Sequence, residues 1–334
     1  MPNRIMRPQV VAGLIASALI LIAVGILTYA ILPPRPRSSD NTDNPFIDET
    51  SGAGTAGIAG GPPAPVGAAA GPNEPTVASI TPAGTDLILG IGAGDHLVAV
   101  SDLDEDRDGT EGLPRVGDFD HVDWEKLTAV RPAVEVLITQ FGSRMPAGLT
   151  DRCAQLNIRV IDLKLDVIED VFSEADALGK ALGEEGKAQQ AVADLKRELT
   201  DIAKDSARFP PVRVAVAVSD GGSVGLIGPG TFHDELLTLV GGVNVAAGFK
   251  KPYIAADREQ IAALQPQVVL DMEPVPPSTP QQMRQAARFW ASLPDLPAVQ
   301  SHNVKTVFAP YCLRPGWHLA ELARIFAADL HGKP

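Results

Sequence analysis

An α/β body made of two lobes built alike is the fold class this sequence predicts, and three observations carry it. The stretch Asp123-Trp124-Glu125-Lys126-Leu127-Thr128-Ala129-Val130-Arg131-Pro132-Ala133-Val134-Glu135-Val136 returns as Asp257-Arg258-Glu259-Gln260-Ile261-Ala262-Ala263-Leu264-Gln265-Pro266-Gln267-Val268-Val269-Leu270. Each copy reads as an Asp N-cap, a Glu in the first helical turn, an apolar stripe, a proline that stops the helix and then an apolar strand. Residues 212–218 alternate too weakly for a surface strand and predict one buried on both faces. Residues 184–207 are rich in Ala, Leu, Glu, Lys and Gln with charges on one face, the pattern of a long packed helix. Because Glu in a first turn also stabilises the helix dipole, the repeat predicts a duplication before it predicts a function.

With 334 residues the chain is long enough for two ordinary cores. A net charge of −13 argues against nucleic acid, whose phosphates such a surface repels. Only Cys153 and Cys312 are present, one in each half, and a bridge between them would tie lobes expected to move, so both are read as free, packed thiols. The absence of a Cys-x-x-Cys or Cys/His cluster argues against structural zinc.

Taken in order, residues 1–9 form a short tail carrying Arg4 and Arg7. Residues 10–32 are apolar or small and uncharged, long enough as a helix to cross about 30 Å of hydrocarbon. The run exceeds the roughly 7–15 residue core of a cleaved signal and leads into Leu32-Pro33-Pro34, so an uncleaved transmembrane anchor with the body outside is expected. Residues 33–75, rich in Gly, Ala and Pro, read as a disordered linker spanning on the order of 35 Å. The first lobe is assigned to 76–182, a connecting helix to 183–207 and the second lobe to 208–334.

In the first lobe, a short strand at 77–80 leads through Thr81-Pro82-Ala83-Gly84-Thr85-Asp86 into a helix that ends near Gly92 and Gly94, before a strand at 96–100. Gly90, Gly92 and Gly94 follow a helix rather than a strand, which excludes a dinucleotide fingerprint. Asp104, Asp106, Asp108 and Gly109 match the first half of a calcium loop, but Arg115 stands where the closing bidentate acid belongs, so a solvated acidic loop is expected. A strand ending Leu137-Ile138-Thr139-Gln140-Phe141-Gly142, another at 159–163 and a helix at 168–182 complete the lobe.

The succession of Thr81-Pro82-Ala83-Gly84-Thr85-Asp86, then Val98-Ala99-Val100-Ser101-Asp102, then Leu113-Pro114-Arg115-Val116-Gly117, then Glu125 before Leu127, Ala129, Val130 and Pro132, resembles the periplasmic binding proteins that deliver cobalamin and ferric chelates to ABC importers. The resemblance runs from about Val77 to the C-terminus. It implies two Rossmann-like lobes bridged by a long backbone helix, the class III helical-backbone architecture of metal receptors, which limits closure to small movements. It further implies that a glutamate on each lobe docks onto arginines of a permease dimer with its ATPase, and by position these are Glu125 and Glu259.

In the second lobe, 225–231 leads into a helix whose N-terminus is expected near the cleft, and Gly241 and Gly242 end it as Gly92 and Gly94 end its counterpart. A final helix runs to about Leu330. The ending departs from the family at Trp317-His318, where proline and arginine are more usual, which bears on the ligand rather than the fold.

The resemblance implies an inter-lobe cleft walled by the loops at strand ends. Flat macrocycles and large chelates bind through aromatic faces, making Phe119, Phe141, Tyr253, Tyr311 and Trp317 candidates, with Arg144 and Arg314 for ligand carboxylates or hydroxamates. A corrinoid, a ferric siderophore or haem is the expected guest, with no resident cofactor. For haem the axial donors available are Tyr253, Tyr311 and His233, although His233 reads rather as a surface or capping residue. Two other functions stay open on sequence: a tethered sensor or accessory protein, and an enzyme acting on a metal or tetrapyrrole, against which stands the lack of a Ser-His-Asp order, a metal-binding His pair or a nucleophile elbow.

Overall fold

The computed structural model describes residues 75–104, 109–118, 120–130, 134–219, 224–274 and 288–332. The expected anchor, 10–32, and all but the last residue of the expected linker, 33–75, lie outside the described residues, among which no helix is long and apolar enough to cross a membrane.

The first lobe is a parallel sheet of β1 (Val77–Ser79), β2 (Leu97–Ala99), β3 (Val136–Thr139) and β4 (Arg159–Asp162) in the order β2-β1-β3-β4. The intervening helices are α1 (Pro82–Gly90), α2 (Trp124–Ala129) and α3 (Leu149–Gln155), and α4 (Ile168–Leu182) closes the lobe. After α5 (Glu185–Ser206) the pattern repeats. Strands β5 (Val212–Ser219), β7 (Gly242–Asn244), β9 (Val268–Glu273) and β10 (Val304–Phe308) are joined in parallel in the order β7-β5-β9-β10, with helices α6 (Phe232–Leu239), α7 (Arg258–Leu264), α8 (Pro297–Gln300) and α9 (Leu319–His331) in the matching places. The duplication read from one stretch of sequence thus extends over the strand order of both sheets. The second lobe adds an antiparallel pair, β6 (Val224–Ile227) and β8 (Tyr253–Ala256), on the far side of β5.

The buried strand and the long helix stand where the sequence puts them. Val214, Ala215, Val216 and Ala217 are at most 1% exposed, because β5 is covered on both faces. Helix α5 is 22 residues, about 33 Å at 1.5 Å per residue. Its stripe of Ala188, Val192, Leu195 and Leu199 packs into a single core that contains Val136 and Ile138 of the first sheet and Val214 and Val216 of the second. Near its N-terminus Lys187 reaches the carbonyl of Gly92 and Glu184 faces His96 at 3.6 Å, while its C-terminal end abuts Gly241, the counterpart of Gly92. One helix therefore braces equivalent corners of both lobes.

Two crossed contacts add to that brace. Ahead of α4, Asp166 accepts from the backbone N of Phe232 (2.8 Å) and the N of Ile168 donates to Glu235 (2.7 Å), tying the first lobe to α6. Ahead of α9, Trp317 lies against Gly90, where any side chain would collide with the indole, and His318 approaches Asp86 at 3.5 Å, tying the second lobe to α1. Each lobe's closing segment thus grips the other lobe's first helix.

Two expectations need correction. Asp104 is not part of a solvated loop: it is buried, accepting from Thr85 Oγ1 (2.8 Å) and the N of Ser101 (3.0 Å), while Arg115 donates to the carbonyls of Ser101 and Asp104. Its carboxylate caps a turn, and Asp106 and Asp108 lie outside the described residues. His233 is neither a surface nor a capping residue. Thr231 caps α6, accepting from the N of Asp234, and the His233 ring is 1% exposed with Nε2 donating to the carbonyl of Cys312 (2.7 Å). Cys153 and Cys312 are both free and buried, as read.

Candidate functional site

In parallel α/β sheets the loops at the carboxyl ends of the strands, and the N-termini of the helices that follow, gather along one edge. Both docking candidates lie on that edge. Asp123 caps α2 by accepting from the N of Lys126 (3.0 Å), which makes Glu125 the second helical residue. Asp257 caps α7 by accepting from the N of Gln260 (2.8 Å), which makes Glu259 the second helical residue there. Both side chains are exposed, and both helices enter the strand that neighbours the central one. Equivalent position in the topology, not only in the sequence, relates them.

The ligand candidates divide. Phe119 lies outside the described residues. Phe141 is 4% exposed and its ring belongs to the outer core of the first lobe, with Ala78, Leu137 and Cys153. Its backbone N and that of Gly142 donate to Asp162 (2.7 and 2.8 Å), which pins the turn carrying Arg144, and Arg144 is exposed. Trp317 is half-buried and occupied by its packing on α1. Tyr311 stacks on His318 with ring centroids 4.3 Å apart, and Arg314 donates to the carbonyl of Pro310 (3.1 Å). Burial, then the Glu321 carboxylate, holds the Tyr311 phenol above its usual range.

Tyr253 opens β8 and is 54% exposed, the most open of the large apolar side chains described. Its phenol is nonetheless raised, first by desolvation from the atoms around it and then by the charge of Asp166. Asp166 belongs to the first lobe, so this pair stands where the lobes meet.

Sequence reasoning missed two residues at the ends of β9 and β10. Glu273 and Phe308 are register partners at the carboxyl edge of the second sheet. Phe308 is 47% exposed. The Glu273 carboxyl is pushed up to about 7, by burial first and then by the neighbouring Asp271 carboxylate. Asp271 itself is buried, accepting from Ser219 Oγ (2.6 Å) and Trp290 Nε1 (2.8 Å), and burial raises it too. The signal was present: aligning the repeat puts Glu273 opposite Thr139, an acid in place of a hydroxyl at a strand end.

Among the described residues no group of three His, Cys, Asp or Glu side chains converges to hold a metal ion. Two cavities of about 300 and 270 Å³ each belong to one lobe. The larger is lined by Asp271, Trp290, Val304 and Thr306 among others, and the smaller by His121, Trp124, Leu149 and Arg152 among others. What the described part of the edge offers is aromatic and polar contact.

The family model described as periplasmic binding protein matches residues 77–310. A vitamin B12-binding protein of Vibrio cholerae serotype O1 is 26% identical over 239 residues, covering 72% of this chain and 83% of that protein. One of Yersinia pestis is 27% identical over 220 residues, covering 66% and 75%. Among solved structures, the periplasmic vitamin B12 binding protein of Vibrio cholerae matches at a TM-score of 0.62 with 24% identity, over 77% of this chain and 96% of that one. The periplasmic heme binding protein of the same species matches at 0.67 with 22% identity, over 77% and 99%. At such identities the solved structures speak for the fold alone.

Proposed function

This chain belongs to the periplasmic binding protein family, and from that premise we propose that its body holds a metal chelate between the lobes and presents it to an ABC permease through Glu125 and Glu259. Membership makes it a substrate-binding protein with an extracytoplasmic body rather than an enzyme. The observation that carries the finer reading is the pair of exposed glutamates at the second position of equivalent helices on matched sheets. Two like carboxylates on two like lobes suit a partner that is itself nearly two-fold. Residues 10–32 tether the body to the membrane through the linker 33–75.

The relatives named for vitamin B12 and for haem support a corrinoid or a haem as the ligand, with a ferric siderophore as the third candidate of the same class. On this reading the exposed rings of Tyr253 and Phe308 would take the flat face, and Glu273 and the exposed Arg144 the polar periphery. The test is a melting and calorimetric screen of the protein against cobalamin, haemin and ferric siderophores. A true ligand at a hundred times its Kd adds about 2.7 kcal/mol, several degrees in Tm. No shift with any of the three removes the chelate reading. Uptake unchanged by charge reversal of Glu125 and Glu259, with binding intact, turns the reading toward a tethered sensor.

A further inference from the structure

The outer face of the second sheet carries a carboxyl group at a position that the first lobe fills with a core side chain. Along β9, Leu270 and Met272 belong to the core that α5 joins, and Val269 lies in the outer core with Phe289 and Trp290, so strand alternation puts Asp271 on the outer side. The repeat sets it opposite Leu137, fully buried in the outer core of the first lobe. Asp271 is 2% exposed. Its Oδ2 accepts from Ser219 Oγ of β5 (2.6 Å) and from Trp290 Nε1 (2.8 Å), whereas Oδ1 has no hydrogen-bond partner among the described residues. The same side chain lines the cavity of about 300 Å³. Buried Asp271 and Trp290 form its floor, half-buried Val299 and Val304 its wall, and exposed Ala291, His302 and Thr306 its rim. Thr306 is the register partner of Asp271 on β10, the edge strand, so the cavity lies at the free edge of the sheet on the face opposite the core that α5 joins.

We propose that this cavity is a second binding site, separate from the inter-lobe cleft, for a small organic cation of the primary alkylammonium class. A buried oxygen without a partner costs free energy that a guest donating a hydrogen bond removes. Charge selects the cation among such donors. Neither Lys nor Arg is among the described lining residues, and Glu273 stands two residues on along the same face of β9, its carboxyl raised by burial and then by the Asp271 charge. Burial also holds the Asp271 carboxyl above its ordinary range, and a cation at Oδ1 favours the ionised form. An ammonium head donates to Oδ1 and to the Thr306 hydroxyl, while its stem lies along Trp290, Val299 and Val304. A carboxylate guest would instead meet Asp271 as a like charge, and an alcohol would satisfy Oδ1 without meeting its charge.

The experiment uses the full chain in detergent with fluorotryptophan at its three tryptophans, and follows the Trp290 fluorine resonance, assigned by its loss in Trp290→Phe. Butylammonium, butanol and butyrate are titrated in turn. Butylammonium is expected to shift the resonance saturably, butanol to need at least a tenfold higher concentration, and butyrate to leave it in place. Asp271→Asn still offers an amide oxygen to Ser219 and Trp290, and should abolish the butylammonium shift with the melting curve unchanged. Thr306→Tyr narrows the rim and leaves Asp271 in place. It should abolish the shift as well, and it keeps the test decisive where Asp271→Asn lowers the melting temperature. No saturable shift, a response to butanol as strong as to butylammonium, or a shift that survives either variant overturns the site.

Discussion

The ends of the paired strands differ between the lobes in what their polar groups face. In the first lobe Thr139 and Asp162 are register partners, and Thr139 donates to Asp162 at 2.6 Å while the same carboxylate takes the N–H groups of Phe141 and Gly142. In the second lobe the equivalent pair is Glu273 and Phe308, an acid raised to about 7 beside an exposed ring. The repeat also sets Leu137 against Asp271, and the helical caps set Ala83 against His233. One lobe satisfies its edge internally; the other keeps unlike, titratable groups there. Duplication supplied the scaffold twice, and among the described residues the two copies differ in whether the strand-end groups bind one another.

The largest expected effect breaks the comparison at the docking corners. Glu125→Lys with Glu259→Lys should reduce chelate uptake at least a hundredfold, since a like charge set against a basic site costs several kcal/mol, while calorimetric ligand affinity stays within threefold. Made singly, each reversal should reduce uptake less than the pair does, and an uptake unchanged by the double reversal would count against docking through these helices.

Leu195→Ala comes next, because it removes a buried side chain shared by both lobes. Loss of about 2–5 kcal/mol is expected in urea unfolding, as a single transition, since α5 belongs to one continuous core. Two separated transitions would show lobes that fold independently, against the brace that α5 makes.

The duplicated framework was legible because it repeats local physics. A cap and a stripe can be read from adjacent residues, and both copies form the capped helix and the strand they predict, as α5 does within a residue at each end. What escaped the sequence depends on contacts distant along the chain. Phe141 looked like a ligand ring, but the bonds that turn its backbone come from Asp162 and its ring lies in the outer core. Asp104 read as part of a solvated acidic loop, but its carboxylate is buried and accepts from Thr85 of α1. Glu273 and Phe308 were hidden inside ordinary strands, since their importance arises only once β9 and β10 pair in register. Helix α3 and the β6–β8 pair also went unread, the first short and weakly patterned, the second dependent on pairing with β5.

The pH dependence of stability tests whether the second lobe carries the titrating groups. His233 has its pKa lowered to about 4 by burial, so its contribution is full above pH 6.5 and is lost as pH falls toward 4. Glu273 is raised to about 7, so its contribution is full below pH 4.5 and is lost as pH rises toward 7, and Asp271 acts in the same sense. The two signs oppose each other across most of one window. Glu273→Gln should therefore steepen the loss of stability on acidification from pH 7 to 4.5, to on the order of 2 kcal/mol. His233→Gln should leave a protein that loses stability on going from pH 5 to 8. Urea midpoints across pH for both variants decide it, and parallel profiles for wild type and variants would place the titration elsewhere.

The smallest effect separates the two caps. Both Asp123 and Asp257 accept a backbone N–H of their helix, but Gln260 also reaches back to the N–H of Asp257 (3.0 Å), whereas Lys126 turns onto the Asp123 carboxylate as an ion pair. Replacing either Asp by Ala should cost about 1 kcal/mol. The Asp123→Ala loss should shrink in high salt because its exposed Lys126 pair is screened, and the Asp257→Ala loss should shrink less, because the Asp257 carboxylate faces backbone N–H groups and the neutral Gln260 rather than an opposite charge. Equal salt dependence would mean that the Lys126 pair contributes nothing at the first corner, leaving the caps alike.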